Sequence, residues 1–595
     1  MCGIFSYRGE KEQNALVVLK GLRDLEYRGY DSWGFAVRNG DGTIVCKKAV
    51  GKISEAREED FARLFGISAI GHTRWATHGG VSEKNTHPHL SADGSIAVVH
   101  NGIIENYEVL KAELIKKYGA RLFRSETDTE VIPHLIADAV SGGATFEKAC
   151  SVVSKRLTGR FAFIALHGKT GALFAVRDGS PLVLGNGGES WYAASDIPAL
   201  LDYTTKIYFL ENGESAMLSP GASAVFQNFR TGKKIAKRAT TLTLTKQSAS
   251  KEGHAHYMLK EILDQKETLS ATLSVSKKEI ARAVRELRAA KKIFMTGCGT
   301  AGHMCMGGEY FFIAHAGRTA PFAASSEFGK LLPFVDRESV VIAVTQSGET
   351  ADLLEAIKGA KVRGAKIISL VNVRNSSVER ESDITLPIQV GVEKAVASTK
   401  AATSQLLLLI LLAYAVGGKE TAARRLLGDA AHGVSAWLTT ALFKKIKRAA
   451  RRFITREHVY VIGKSLYFPV ALEAALKIKE VSYMHAEGLA SGELKHGTLA
   501  LIEKGTPCMV FVANDAHTHD VLGSVSELKA RGAFLIGVSP EKHPSFDEWI
   551  KVPDLKDASP LTHMIAAQIF AYYLSVGRGH NPDMPRNLAK SVTVK

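Results

Sequence analysis

Cys2 follows the initiator methionine directly and precedes Gly3. A small second residue permits removal of Met1, which would put a thiol and a free α-amine on one residue. An α-amine titrates near pH 7.7–8.0, so it can act as base for the thiol without a histidine, roughly as a built-in general base would. Three downstream segments supply what such a nucleophile needs. HTRWATHG (72–79) contains Arg74, whose planar fork suits a carboxylate. HNGIIEN (100–106) ends an apolar run and places Asn101 beside Gly102, a side-chain amide and a backbone N–H suited to an oxyanion. SETDTE (125–130) offers Asp128 as partner for an ammonium group. Together these bind both ends of a free amino acid and support acyl transfer to sulfur.

A second chemistry lies further along. GCGTAG (297–302) has the spacing of a dinucleotide loop, with Glu327 at about the distance of a ribose-binding acid. TQSGET (345–350) competes with that reading: it follows the apolar run 340–344 and precedes a helical stretch, 351–358. Hydroxyls and backbone N–H groups at a helix start form a phosphate cradle. Two such loops fit a monophosphate better than a dinucleotide, although the nucleotide reading stays open on these residues alone. Glu473, Lys477 and Glu480 are spaced i, i+4, i+7 and share one helix face. Their neighbours Ala471, Leu472, Ala474, Ala475 and Leu476 are apolar, so the face is expected to be buried, and a buried charged face needs partners or a job.

The elements that must position these groups fall into two styles. The first 235 or so residues hold short β-type runs, interrupted by expected helices over 12–27 and 105–118. This pattern predicts an α+β domain of layered sheets. A polar Ser/Thr/Lys stretch, 240–253, reads as a linker. Beyond His256, expected strands at 292–296, 340–345, 367–371, 459–462, 508–512 and 534–538 alternate with helix-length segments, the mark of parallel α/β domains. GCGTAG and IGKS (462–465) each follow a strand and open a helix, which predicts two tandem domains of one type dividing near residue 430.

Composition bounds the class. A chain of 595 residues exceeds one hydrophobic core, and 46% hydrophobic with 23% charged residues is ordinary for a globular protein. The six cysteines show no CxxC pair and no Cys/His cluster, which argues against disulfides and structural zinc and fits a reducing cytosol. Residues 1–9 do not read as a secretory signal, and the most apolar run, 406–416, is about half of the roughly 20 residues that span a bilayer; a buried helix and no membrane partner are expected. The net charge of +16 admits nucleic-acid binding or attraction of anionic metabolites. The basic cluster FKKIKRAARRF (443–453) lacks accompanying aromatic modules and suits one exposed helix face, so no nucleic-acid partner is expected.

MCGI, LEYRGYDS, HTRWATHG, HPH, HNGIIEN and SETDTE resemble the glutaminase domain of class II glutamine amidotransferases. The resemblance implies an αββα fold of the N-terminal-nucleophile type, with Cys2 as nucleophile and Asn101 and Gly102 as oxyanion hole. It implies that Arg74, Thr77, His78 and Asp128 hold L-glutamine and that Trp75 gates the ammonia route. Trp33 departs from the alanine usual in that family, so a bulky ring must be accommodated beside YRGYDS.

CGT, QSGETADLLEA, VASTKA, ALEAALKIKEVSYMHAEGLASGELKHG and PRNLAKSVTVK are similar to the two sugar-isomerase (SIS) domains of the isomerising glutamine–fructose-6-phosphate aminotransferase family. From it follow the domains 1–238, 254–430 and 431–585, a linker at 239–253, and an active-site tail at 586–595. It implies that Thr300, Thr345, Gln346, Ser347 and Thr350 hold D-fructose-6-phosphate, with Val396 and Ser398 nearby. Glu480 would move a proton between C1 and C2, supported by Lys477. His496 would open the ring, reaching from the second subunit of a homodimer, and Lys590 would form a Schiff base. No cofactor or metal is implied, and a cytoplasmic enzyme of amino-sugar synthesis is expected. Ala301 and Thr345 stand where serines are usual; Thr345 keeps a hydroxyl and Ala301 loses one. Other readings are an amidotransferase with a different acceptor and a phosphosugar-responsive binding protein that has lost its chemistry.

Overall fold

The computed structural model describes residues 2–242 and 251–593. By contacts the chain forms two units, one of Met1–Ser248 with Ala589–Lys595, the other of Ala249–Leu588.

In the first unit, side chains alternate between faces along each strand, and this period of two sorts them into three layers. Phe5 and Tyr7 of strand Gly3–Asn14 pack on helix Leu16–Asp24, whereas Ile4 points into the seam between two sheets. Ile96 and Val98 of strand Ile96–Ile104 pack on helices Val131–Ser141 and Phe146–Arg156, whereas Ala97 and Val99 enter the same seam. The result is an antiparallel eight-stranded sheet facing an antiparallel six-stranded sheet, with helices outside both: αββα.

The helix expected over 12–27 is shorter. Strand Gly3–Asn14 continues through its start, with Gln13 and Asn14 paired to Gly66 and Phe65, and the helix is confined to Leu16–Asp24. Main-chain pairing with a neighbouring strand outweighs local helix preference there. The second expected helix runs Tyr107–Tyr118. Trp33 is accommodated in the outer layer: it is buried, 5.5 Å from the Phe61 ring and 6.5 Å from Phe35. Of the expected linker, residues 243–250 lie outside the described residues, and Thr240–Thr241 pairs with strand Lys206–Phe209.

The second unit carries two five-stranded parallel sheets. The first runs Phe322–Ala324, Lys292–Gly297, Ser339–Thr345, Lys366–Val371, Ile384–Pro387; the second runs His485–Ala490, His458–Gly463, Pro507–Phe511, Phe534–Ser539, Glu548–Lys551. Both therefore have the order 2-1-3-4-5. Each of the six expected strands is present within about two residues, an ordinary boundary scatter. One hydrophobic core spans both sheets' helices, including the buried helices Lys400–Val416 and Ser559–Gly577. Residue 430, where the division is expected, falls inside helix Glu420–Trp437. Helix Thr440–Arg451 buries Leu442, Phe443 and Ile446 and turns its basic face outward, where Arg448 and Arg452 meet Glu548. Among the described residues no helix is long and apolar enough to cross a membrane.

Candidate active sites

Cys2 sits immediately before the strand that pairs with Phe65–Arg74, so its sulfur is brought to the end of the strand carrying HTRW. The Trp75 N–H donates to Cys2 Sγ at 3.3 Å. The Cys2 carbonyl accepts from Arg28 Nε at 3.2 Å and Asn101 Nδ2 at 3.0 Å. Burial pushes the thiol up from its ordinary value, against the pull of the Trp75 N–H and the Arg74 charge.

Cys2, Arg74, Trp75, Thr77 and His78 line one cavity with Gly102 and Asp128. Asn101 does not line it; its amide lies against the Cys2 main chain and Ser195 Oγ, at 2.7 Å from the latter. Arg74 spends part of its fork on its own loop, donating to the carbonyls of His78, Gly79 and Gly80 at 2.6, 3.0 and 3.1 Å. It thereby shapes the cavity wall as well as charging it. Asp128 accepts the Ile104 N–H at 2.7 Å, tying the acidic side to the strand that bears Gly102. Gly102 has φ +122°, and a Cβ there would sit 1.9 Å from the Arg160 carbonyl, so only glycine fits.

In the second unit, Lys292–Gly297 and Ser339–Thr345 are adjacent parallel strands, so GCGTAG and TQSGET emerge side by side at their carboxyl ends. In a sheet of order 2-1-3-4-5 this is the point where strand order reverses, the usual crevice for ligands. The Thr345 hydroxyl accepts the Gly348 N–H at 3.2 Å, and Ser347 Oγ accepts the Glu349 N–H at 3.2 Å, which folds 346–350 into a tight turn. Thr350 immediately precedes the following helix, Ala351–Val362. Gly348 has φ +68° and faces Ser376 so closely that a Cβ would lie 2.1 Å from its hydroxyl. Ala301 is buried in helix Thr300–Phe311. Val396 N–H bonds the Asp583 carbonyl at 3.0 Å, and Ser398 Oγ donates to Glu393 at 3.1 Å.

Helix Tyr467–Ser482 buries the expected charged face. Lys477 is fully buried between Glu480, at 2.5 Å, and Glu473, at 3.4 Å. Glu473 in turn accepts from the Thr300 hydroxyl at 3.0 Å and lies 2.9 Å from His303 Nδ1. Burial would lift the Glu473 carboxyl, yet the Lys477 charge and the His303 and Thr300 hydrogen bonds hold it below its ordinary value. Burial alone would lower Lys477, but Glu473 and Glu480 raise it to about 12. Thr300, expected to hold the sugar phosphate, also donates its hydroxyl to Glu473. His496 is exposed in the turn Ser491–His496. The tail bearing Lys590 groups by contacts with the first unit, where Arg160 Nε donates to the Thr593 carbonyl at 3.1 Å.

Models of a glutamine amidotransferase domain and of the SIS domain match residues 72–202, and 286–415 with 452–576, respectively. Over the full length of both chains the protein is 39% identical to a glutamine–fructose-6-phosphate aminotransferase (isomerizing) of Thermococcus kodakarensis and 40% identical to that of Symbiobacterium thermophilum. The chain belongs to the isomerizing glutamine–fructose-6-phosphate aminotransferase family. A solved C-terminal domain of the Francisella tularensis member superposes with TM-score 0.51 at 32% identity, covering 56% of this chain and 99% of that one.

Several residues around these aminotransferase sites escape sequence reasoning. Arg28, Tyr27 and Asp196 form a chain behind Cys2, with Arg28 3.1 Å and Tyr27 2.6 Å from Asp196. Asp31 holds the Ala76 N–H at 2.8 Å, which fixes the turn after Trp75. The LEYRGYDS segment thus positions Cys2 and the loop after Trp75. His87, His100, Thr127 and Thr129 also line the cavity. Their signal was the density of histidines in HTRWATH, HPH and HN; burial drives the imidazoles of His72, His87, His89 and His100 toward the neutral form.

Proposed function

We propose that the chain transfers the amide nitrogen of L-glutamine to D-fructose-6-phosphate and isomerises the product to D-glucosamine-6-phosphate, releasing L-glutamate, as the entry to amino-sugar synthesis. The observation that carries the reading is the cavity in which Cys2 Sγ shares walls with Arg74 and Asp128, a cation and an anion able to hold the two ends of an amino acid.

In this reading Met1 is removed and the freed amine takes the thiol proton. Cys2 Sγ attacks the amide carbon, and the oxyanion rests on Asn101 and Gly102. Ammonia leaves with the proton, and water hydrolyses the thioester to glutamate. Thr77 and His78 complete glutamine binding. Thr300, Thr345, Gln346, Ser347 and Thr350 hold the sugar phosphate, with Val396 and Ser398 beside it. His496 opens the ring and Lys590 condenses with the C2 carbonyl, losing water. Ammonia then displaces Lys590, and Glu480, supported by Lys477, moves the proton between C1 and C2. Trp75 separates the halves until both are loaded. No step calls for a metal or organic cofactor.

We divide the chain as 1–238, 254–430, 431–585 and a tail 586–595, and place it in the cytoplasm. Amide-labelled glutamine incubated with fructose-6-phosphate should yield labelled glucosamine-6-phosphate that excess unlabelled ammonia does not dilute. Label found only in free ammonia would remove the sugar acceptor from the assignment. Trp75→Ala should lower amination per glutamine consumed; an unchanged ratio would remove the gate.

The exposure of His496 supports its acting across a homodimer. Mixing inactive Lys590→Ala and His496→Ala subunits should then restore part of the activity, because one hybrid site is intact. No recovery would mean that each chain completes its own site.

A further inference from the structure

Nucleophile and oxyanion donors sit on different sheets. Cys2 leads into the eight-stranded sheet, whereas Asn101 and Gly102 belong to strand Ile96–Ile104 of the six-stranded one. Catalysis by this pair requires the seam between the sheets to be fixed to a fraction of an ångström. The seam is mostly aliphatic, and aliphatic packing sets spacing but not the rotation of an amide.

His72 supplies that missing constraint. It lies on strand Phe65–Arg74, opposite Ile4, with no exposed surface. Its Nε2 is 2.9 Å from the His100 carbonyl and 3.1 Å from Asn101 Oδ1. A carbonyl only accepts, so Nε2 carries the proton and donates to both oxygens. Nδ1 is then a bare lone pair, in agreement with its having no hydrogen-bond partner. Burial presses the imidazole down to about 3, so this neutral form persists across the working pH range.

The consequence falls on Asn101. With Oδ1 held by His72, the NH₂ group must face the other way, toward the Cys2 carbonyl at 3.0 Å and Ser195 Oγ at 2.7 Å. Ser195 Oγ also accepts the Ile4 N–H at 2.7 Å, so it bolts Asn101 to the strand that follows Cys2. A flipped amide would set two oxygens together at Cys2 and two donors together at His72.

We propose that His72 is a positioning residue for glutamine hydrolysis: its Nε2–H locks the Asn101 amide, across the sheet seam, with the NH₂ on the Cys2 side, against the Cys2 main-chain carbonyl. This rests on the oxyanion reading of Asn101.

The test is steady-state glutaminase kinetics of the full chain. His72→Leu should lower kcat about 100-fold, the scale of one lost oxyanion donor, with KM for glutamine within about threefold. His72→Gln, which keeps an N–H of similar reach, should recover most of that loss with an unchanged pH profile. Asn101→Ala should lose about as much as His72→Leu, and the double variant no more than Asn101→Ala alone. Losses that multiply, a rise in KM at constant kcat, or a His72→Gln variant as poor as His72→Leu while its melting transition is native, would overturn the positioning role. An Asn101→Ala variant at full kcat would instead overturn the oxyanion reading, and the role of His72 with it.

Discussion

Cys2→Ala protein should lose glutamine-dependent synthesis of glucosamine-6-phosphate by at least about a thousandfold, the scale on which removal of a covalent nucleophile acts. Synthesis from fructose-6-phosphate and added ammonia should persist, because the proposed sugar chemistry does not use Cys2. Among the described residues the hydrogen-bond partners of the thiol are the Trp75 N–H and carbonyl, and neither is a general base. Its activation therefore falls to the α-amine exposed when Met1 is removed. A chain that retains Met1 should accordingly resemble Cys2→Ala in glutamine hydrolysis, and mass spectrometry of the active protein should show Cys2 at its start. Loss of ammonia-dependent synthesis together with the glutamine reaction would show that Cys2 supports the sugar site as well. Residual glutamine use above a hundredth of normal would point to a nucleophile other than Cys2.

The motifs that carry this chemistry were legible because their residues are local. HTRWATHG, HNGIIEN and TQSGET each compress a strand end, a tight turn and several donors into eight residues or fewer, and strand ends are where a sheet presents groups to a ligand. Apolar periodicity similarly exposed the parallel strands of the second unit, whose buried runs stand out from their polar flanks. Pairing was not legible in this way. The strand over 3–14 carries the polar segment RGEKEQN, and pairing with its neighbours at 65–74 and 190–194 makes it extended. The division expected near residue 430 came from two repeating loops, which do not announce that helices 400–416 and 559–577 share one common core. The bond between Thr300 and Glu473 spans 173 positions, and nothing in either segment announces the other. Spacing identified the charged face of helix Tyr467–Ser482, but not that its first carboxylate would serve as an inward anchor.

That anchor leads to the second large effect. Glu473 has no exposed surface and is the meeting point of Thr300, His303 and Lys477. Removing one partner from a buried ion pair leaves the other uncompensated and costs about 3–5 kcal/mol. Glu480 remains beside Lys477, so the lower end of that range is expected for Glu473→Gln, which keeps the volume and an acceptor for Thr300. The pH dependence identifies the cause. The folded-state value of Glu473 lies below its ordinary 4.5, so its stabilisation is complete above pH 4.5 and is lost as pH falls through the folded value. Lys477 is raised from 10.5 to about 12, so its share is complete below pH 10.5 and is lost as pH rises through about 12. The stability gap between wild type and Glu473→Gln should therefore be widest between about pH 5 and 10 and should narrow on either side. Urea unfolding at pH 7 and pH 3.5 measures it. A gap of the same size at both values would assign the loss to packing rather than charge. No gap at pH 7 would mean that Glu480 alone suffices to hold Lys477, and Glu473 would then be a spectator to that ammonium.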